Sequence, residues 1–313
     1  MKNKTLKNLV KTAGRILLVL SVFFVGYKIY NLGIDFSVVT DIPRFLFMAF
    51  LALVLNVLST FIQALVWGRW ISFFSGTRVN KANALTIYGK SSIGKYLPGN
   101  VMHYVERNLF AAEYGLSQDK IAFSSVMEII GQVMAAVLIS VILLPKSFMQ
   151  EVLRVVGDNS KTLIILVIIG ISVLIAAAVF TIIKKVNVAK YLKEYKASDF
   201  IVTLIVTLIG SVVYLIMNGC GMVFLWTYCS GSVPGIENIR LIVSSYAAAW
   251  VCGFVIPGAP GGIGIREAVL SILLGDITGG ILMFMIIVHR LITIIGDFTV
   301  YLIVSLRGVR RKD

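Results

Sequence analysis

Residues 45–67 read FLFMAFLALVLNVLSTFIQALVW, twenty-three positions without one Asp, Glu, Lys or Arg. At 1.5 Å per residue such a run makes a helix of about 35 Å, enough to cross a hydrocarbon layer about 30 Å thick. Working outward, five more apolar runs are read as membrane spans, at 16–30, 121–144, 163–183, 200–226 and 281–306. The first is the shortest. It follows Lys2, Lys4, Lys7, Lys11 and Arg15, as a secretory leader would, but Tyr27, Lys28 and Tyr30 stand where small cleavage-site residues belong. We therefore expect it to be retained as a helix.

The whole chain agrees with this reading. Of 313 residues 58% are hydrophobic and only 14% charged, with a mean hydropathy of +0.92, whereas soluble domains are about half apolar and a quarter charged. This composition excludes a soluble enzyme, a disordered tail and a nucleic-acid reader. The formal charge of +14 is expected to mark cytoplasmic loops rather than a nucleic-acid partner. With the N-terminus inside, the cytoplasmic segments are 1–15, 68–120, 184–199 and 307–313. They hold Lys184, Lys185, Lys190, Lys193 and Lys196, and the cluster Arg307, Arg310, Arg311 and Lys312. The outer segments, 31–44, 145–162 and 227–240, hold fewer cations, offset by Asp35, Asp41, Glu151, Asp158 and Glu237. Both termini are thus expected in the cytoplasm of a cell whose cytoplasmic membrane this multi-pass chain crosses. Cys220, Cys229 and Cys252 form neither a CxxC pair nor an even set, so no disulfide framework or zinc site is expected.

Two shorter stretches, 81–97 and 241–256, each end at Pro-Gly, at Pro98-Gly99 and Pro257-Gly258, and each is followed by a second short helical run. This pattern fits re-entrant hairpins, two half-helices that meet inside the bilayer, which is tolerated where the broken backbone is buried in protein or lines a wet cavity. Sliding the chain by 159 residues superposes the two breaks and brings Trp67 onto Trp226, Gly76 onto Gly235, Gly94 onto Gly253 and Arg107 onto Arg266. Those identities are too few to carry the argument alone. The order of spans and hairpins follows the same offset, dividing the chain into repeats at 1–150 and 160–306. Three spans per repeat is an odd number, so the halves must be inverted, an arrangement that recurs in transporters. The expected fold is an all-α polytopic membrane protein with six transmembrane helices and two re-entrant helical hairpins in two inverted-topology repeats.

The chemistry-bearing residues gather at the hairpins. After Lys95 and the break at Pro98-Gly99, Asn100 is a good N-cap for the next half-helix, whose free N–H groups favour an anion. His103 and Arg107, four apart, share one face of it. A phosphate between Asn100 and Gly261–Gly262 is one reading; Lys95 and Arg107 snorkelling to cytoplasmic headgroups is the other. The second hairpin, Pro257-Gly258-Ala259-Pro260-Gly261-Gly262-Ile263-Gly264-Ile265-Arg266-Glu267, cannot be an ordinary helix interior. It lacks the Gly-Lys-Ser/Thr of a nucleotide loop. Arg266 and Glu267 either contact substrate or pair with Glu106 and Arg107 across the pseudo-symmetric centre. Within spans, Glu128, His289, Arg290 and Asp297 are functional candidates because charge in lipid is expensive. Arg290 is expected to pair with Asp297 or Glu128, or else Glu128, Asp297 or His289 carries protons for coupled transport. His103-x-x-Glu106 raises a metal-dependent hydrolase, disfavoured because His289 is the only other histidine. No nucleophile elbow occurs. No metal, cofactor or catalytic residue is therefore expected.

At 94–100 and 257–267 the chain resembles the lysylphosphatidylglycerol synthase transmembrane region, the flippase-like domain of the multiple peptide resistance factor, which also occurs alone. The resemblance spans nearly the whole chain. It implies lipid translocation rather than enzymatic activity. The tRNA-dependent lysyltransferase domain of the full-length family has no counterpart in the loops or in 307–313 and is expected to be absent. By motif position, the resemblance gives the headgroup cavity to Lys95, Asn100, Arg107, Arg266 and Glu267. The expected substrate is an anionic, aminoacylated or glycosylated membrane lipid. The expected partners are a second copy or a lipid-modifying enzyme, and no nucleic acid. An accessory subunit of an envelope-lipid or glycan-modifying complex and an intramembrane headgroup enzyme are the alternatives.

Overall fold

The computed structural model describes residues 38–96, 102–112, 114–145, 196–255, 262, 264–278 and 281–306. The spans expected at 16–30 and 163–183 lie outside the described residues, as do Pro98, Gly99, Asn100, Pro257, Gly258 and Gly261. Among the described residues there are eight α-helices and no strand. They are α1 Ile42–Ser75, α2 Lys81–Ser91, α3 Met102–Ala112, α4 Gln118–Ile142, α5 Ala197–Ser230, α6 Ile236–Val255, α7 Ile265–Thr278 and α8 Leu282–Leu306. A 3₁₀ turn, Ser92–Tyr96, continues α2.

Local chemistry sets the ends. The Asp41 side chain accepts from the Arg44 N–H at 3.1 Å, and Pro43 sits in the first turn, where its missing N–H is not needed. Asn80 caps α2 in the same way, accepting from the Ala82 N–H at 2.9 Å. Helices α1 and α5 are both 34 residues long and both end at a left-handed glycine, Gly76 (φ 67°) and Gly231 (φ 73°). Helices α4 and α8 are both 25 residues long.

Four helices, α1, α4, α5 and α8, are long and apolar enough to cross a membrane. Their surface chemistry is the reverse of a soluble bundle. Leu46, Phe47 and Phe50 of α1 and Ile201, Ile205 and Ile209 of α5 point outward. Asn56, Ser59, Thr60 and Gln63 of α1 and Thr207, Ser211 and Asn218 of α5 point inward. Polar side chains inside and apolar ones outside suit a protein bathed in lipid, where amides and hydroxyls find partners only in one another.

The long pair α1 and α5 runs antiparallel. Phe45 meets Tyr228 edge-on with ring centroids 5.3 Å apart. Toward the middle Asn56 Nδ2 donates to Asn218 Oδ1 at 2.8 Å, and Asn218 Nδ2 donates to Ser59 Oγ at 2.9 Å. Farther along, Trp70 Nε1 donates to Thr207 Oγ1 at 2.7 Å. The shorter helices pack around this seam. Helix α2 packs on α1 and on α8, while α6 packs on α5 and on α4; α3 lies on α4, and α7 on α8. Small residues allow the close approaches: a Cβ on Gly89 of α2 would stand 3.0 Å from Val300 and Val304 of α8.

Candidate functional site

A cleft at the centre is lined by side chains from all eight helices. They include Asn56 and Thr60 of α1, Tyr88 of α2, Arg107 of α3, Glu128 of α4 and Tyr214 of α5, with Trp250, Arg266 and Asp297 contributed by α6, α7 and α8. Its volume is about 1060 Å³ including its open mouth. Among the described residues that line it are four basic side chains, Lys95, Arg107, Arg266 and Arg290, and three carboxylates, Glu128, Glu267 and Asp297.

The carboxylates are each claimed, but not by the partners that spacing along one helix suggested. Glu128 holds Arg107, whose Nη1 donates to Oε2, while Tyr88 and Gln132 donate to Oε1 at 2.8 and 3.1 Å. Arg107 is only 1% exposed, with its guanidinium 4.1 Å from the Tyr88 ring centroid, 5.2 Å from Trp67 and 5.4 Å from Tyr104. This is a buried ion pair in an aromatic cage, not a side chain reaching for headgroups. Asp297 binds Lys95 Nζ at 3.0 Å and accepts from the Tyr96 hydroxyl at 2.8 Å. Glu267 accepts from Arg290 Nε at 2.9 Å. Its other oxygen takes the Gly264 N–H, so Glu267 also closes the first turn of α7 as the third residue of a capping box does.

These contacts correct three expectations. Arg290 takes Glu267, a partner outside the expected pairings with Asp297 or Glu128. Arg107 and Glu267 are held by Glu128 and Arg290, in place of a Glu106–Arg107 to Arg266–Glu267 exchange. Arg107 does not snorkel. In each case the charge takes the opposite charge that a neighbouring helix brings nearest, α4 for Arg107 and α8 for Glu267.

Arg266 is different. Among the described residues it has no carboxylate partner, and its Nε is buried without a hydrogen bond. Its guanidinium lies 5.9 Å from the Trp250 ring centroid, within cation–π range. A Cβ on Gly253 would stand 2.7 Å from Arg266 Nε, and one on Gly262 would stand 3.0 Å from it. The two glycines make the slot through which Arg266 reaches the cleft. Gly94, which aligns with Gly253 at the 159-residue offset, instead permits a close approach of α3, since its Cβ would meet Glu106 Oε2 at 2.7 Å and the His103 backbone at 2.8 Å.

The histidines lie apart from the ion pairs. His289 Nε2 is 3.0 Å from the Asn218 carbonyl oxygen, which ties it to the α1–α5 seam, and its ring meets Tyr246 edge-on at 5.3 Å. His103 Nδ1 is buried with no hydrogen-bond partner. No group of three or more His, Cys, Asp or Glu is gathered for a metal among the described residues. The structure therefore brings Lys95, Arg107, Glu128, Arg266, Glu267, Arg290 and Asp297 to one cleft, with His103 and His289 at its wall. Gly262 stands behind Arg266. Reading for charge alone misses Asn56, Tyr88, Tyr214, Tyr246 and Trp250, which line the same cleft, and Asn218, which holds Asn56 beside it. Asn56 and Asn218 had a visible signal, since a lone amide in an apolar run needs a partner within the membrane.

No family model, curated protein or solved structure matches the chain.

Proposed function

We propose that the chain translocates a polar-headed membrane lipid between the leaflets of the cytoplasmic membrane, with the headgroup in the central cleft and the acyl chains in the surrounding lipid. The observation that carries this reading is a charged cleft inside a protein whose exterior is apolar. Charge at membrane depth is costly and is kept where it holds substrates or ions. The resemblance at 94–100 and 257–267 points the same way, as does the chain's lack of an ATP-binding motif, which leaves a downhill or ion-coupled passage.

The fold proposed for this task is a pair of inverted repeats. Support comes from the antiparallel run of α1 and α5, their equal lengths, and the exchange of α2 onto α8 against α6 onto α4. Ser59 and Asn218, exactly one repeat offset of 159 apart, hydrogen-bond to each other, as pseudo-equivalent residues do beside a two-fold axis. In this reading α2–α3 and α6–α7 are re-entrant hairpins entering from opposite sides, and N- and C-termini are cytoplasmic.

The test is reconstitution of purified protein into liposomes with fluorescent phospholipids and a leaflet-selective quencher. Translocation faster than in protein-free liposomes is expected, and its loss in Arg266→Ala. A rate equal to that of protein-free liposomes would overturn the function. Chemical alteration of the lipid, read by mass spectrometry, would replace it with a headgroup enzyme.

A further inference from the structure

The charge inventory of the cleft narrows the substrate class; the argument rests on the translocation reading above. Each of the six oxygens of Glu128, Glu267 and Asp297 already accepts from a protein donor. Glu128 is held by Tyr88, Gln132 and Arg107, Glu267 by Arg290 and the Gly264 N–H, and Asp297 by Lys95 and Tyr96. A cationic headgroup would therefore have to displace a built ion pair to find a counter-charge. Among the described residues that line the cleft, four basic side chains against three carboxylates leave one positive charge, and the pairing assigns it to Arg266.

Arg266 is also equipped for the task. It projects from the first turn of α7, flanked by Trp250, and its Nε lacks a partner. Tyr214 and Tyr246 line the same cleft. A guanidinium matches the oxygens of a phosphate, and tyrosine hydroxyls in the same cleft are further donors to such a group. At the offset of 159 its counterpart is Arg107, which is already neutralised by Glu128. The two pseudo-equivalent arginines have thus divided their roles, one closing the structure and the other left for a ligand.

We infer that Arg266 is the seat of a singly charged phosphodiester, so that the cleft selects a lipid with one net negative charge over zwitterionic, aminoacylated cationic or multiply charged diphosphate lipids.

The test is binding, read separately from transport. Full-length protein in detergent is titrated with a fluorescent phosphatidylglycerol, and competed with phosphatidylcholine, lysyl-phosphatidylglycerol, a polyprenyl diphosphate and soluble glycerophosphoglycerol. Unlabelled phosphatidylglycerol should compete best. Arg266→Gln should weaken phosphatidylglycerol binding about tenfold or more, the equivalent of ~1.4 kcal/mol. Arg266→Lys should restore part of the loss. Gly253→Ala, which keeps the charge but fills its slot, should weaken binding in the same direction, and unchanged elution in size-exclusion chromatography separates these effects from misfolding. Equal binding by wild type and Arg266→Gln, or preference for the cationic or the diphosphate lipid, would overturn the inference. Competition by glycerophosphoglycerol as strong as by the lipid would keep the phosphodiester seat and overturn the lipid reading. Selective binding without translocation would likewise leave the seat standing and the transport function refuted, while translocation unaffected by Arg266→Gln would do the reverse.

Discussion

Arg107 and Glu128 show how a buried charge is made tolerable: opposite charge, two further donors on the carboxylate, and three ring faces around the guanidinium. Removing one member leaves the other uncompensated, which typically costs about 3–5 kcal/mol, whereas replacing both with apolar residues of similar size is often neutral. Glu128→Ala and Arg107→Ala should each lower the thermal unfolding temperature of the detergent-purified protein markedly, and Arg107→Met with Glu128→Leu should recover most of it. A double variant as unstable as the singles would show that the pair is not the source of the loss. That these residues matter was legible in the sequence, because an ionisable group in an apolar run is conspicuous. Their partners were not. Which cation reaches Glu128 depends on where α3 lies against α4, and no spacing along one helix encodes that. Tyr88 and Trp250 escaped notice for a simpler reason: aromatic residues are ordinary in membrane helices until a guanidinium is seen over them.

Helix existence followed from hydropathy, but helix ends did not. The apolar run 45–67 became α1 Ile42–Ser75, because the helix continues through Arg69, Trp70 and Phe73 once Trp70 can donate to Thr207 and stack with Phe74. Likewise the short run 241–256 became α6 Ile236–Val255, gaining a first turn that carries Glu237, with Arg240 one turn on. Hydropathy stops at a charge; hydrogen bonding does not. The glycines within these helices separate into two kinds. A Cβ on Gly68 of α1 would stand 2.7 Å from the Ala84 Cβ of α2, while one on Gly275 of α7 meets nothing within 4 Å. Gly68→Ala should therefore force α1 and α2 apart and destabilise, by about 1–3 kcal/mol on the scale of overpacked cores. Gly275→Ala should be neutral or stabilising by up to about 1 kcal/mol, through helix propensity alone. Unfolding of the two variants in the same detergent compares them directly, and the opposite order would refute the packing assignment.

Because α1 and α5 run antiparallel, their C-terminal caps, Gly76 and Gly231, lie at opposite ends of the molecule. In a cysteine-free background, Thr77→Cys should react with an impermeant maleimide only after the membrane is opened, and Ser232→Cys should react in intact cells. Labelling of both from one side would refute the orientation proposed above. That the chain is all-helical, with four helices able to cross a membrane, was legible through hydropathy; the packing of α2 onto α8 and of α6 onto α4 was not, since it is a matter of which surfaces meet.

The hydrogen-bonded seam has a consequence for how the protein is made. Asn56 of α1 and Asn218 of α5 stand 162 positions apart in the chain, yet each side chain takes a hydrogen-bond partner from the other's helix. A fragment that ends before α5 would leave Asn56 and Gln63 without Asn218 and Ser211. If the chain is severed within 146–195 and the two fragments are produced separately, each should be degraded. Produced together, they should protect one another and co-purify, and independent survival of either fragment would show that the halves mature on their own.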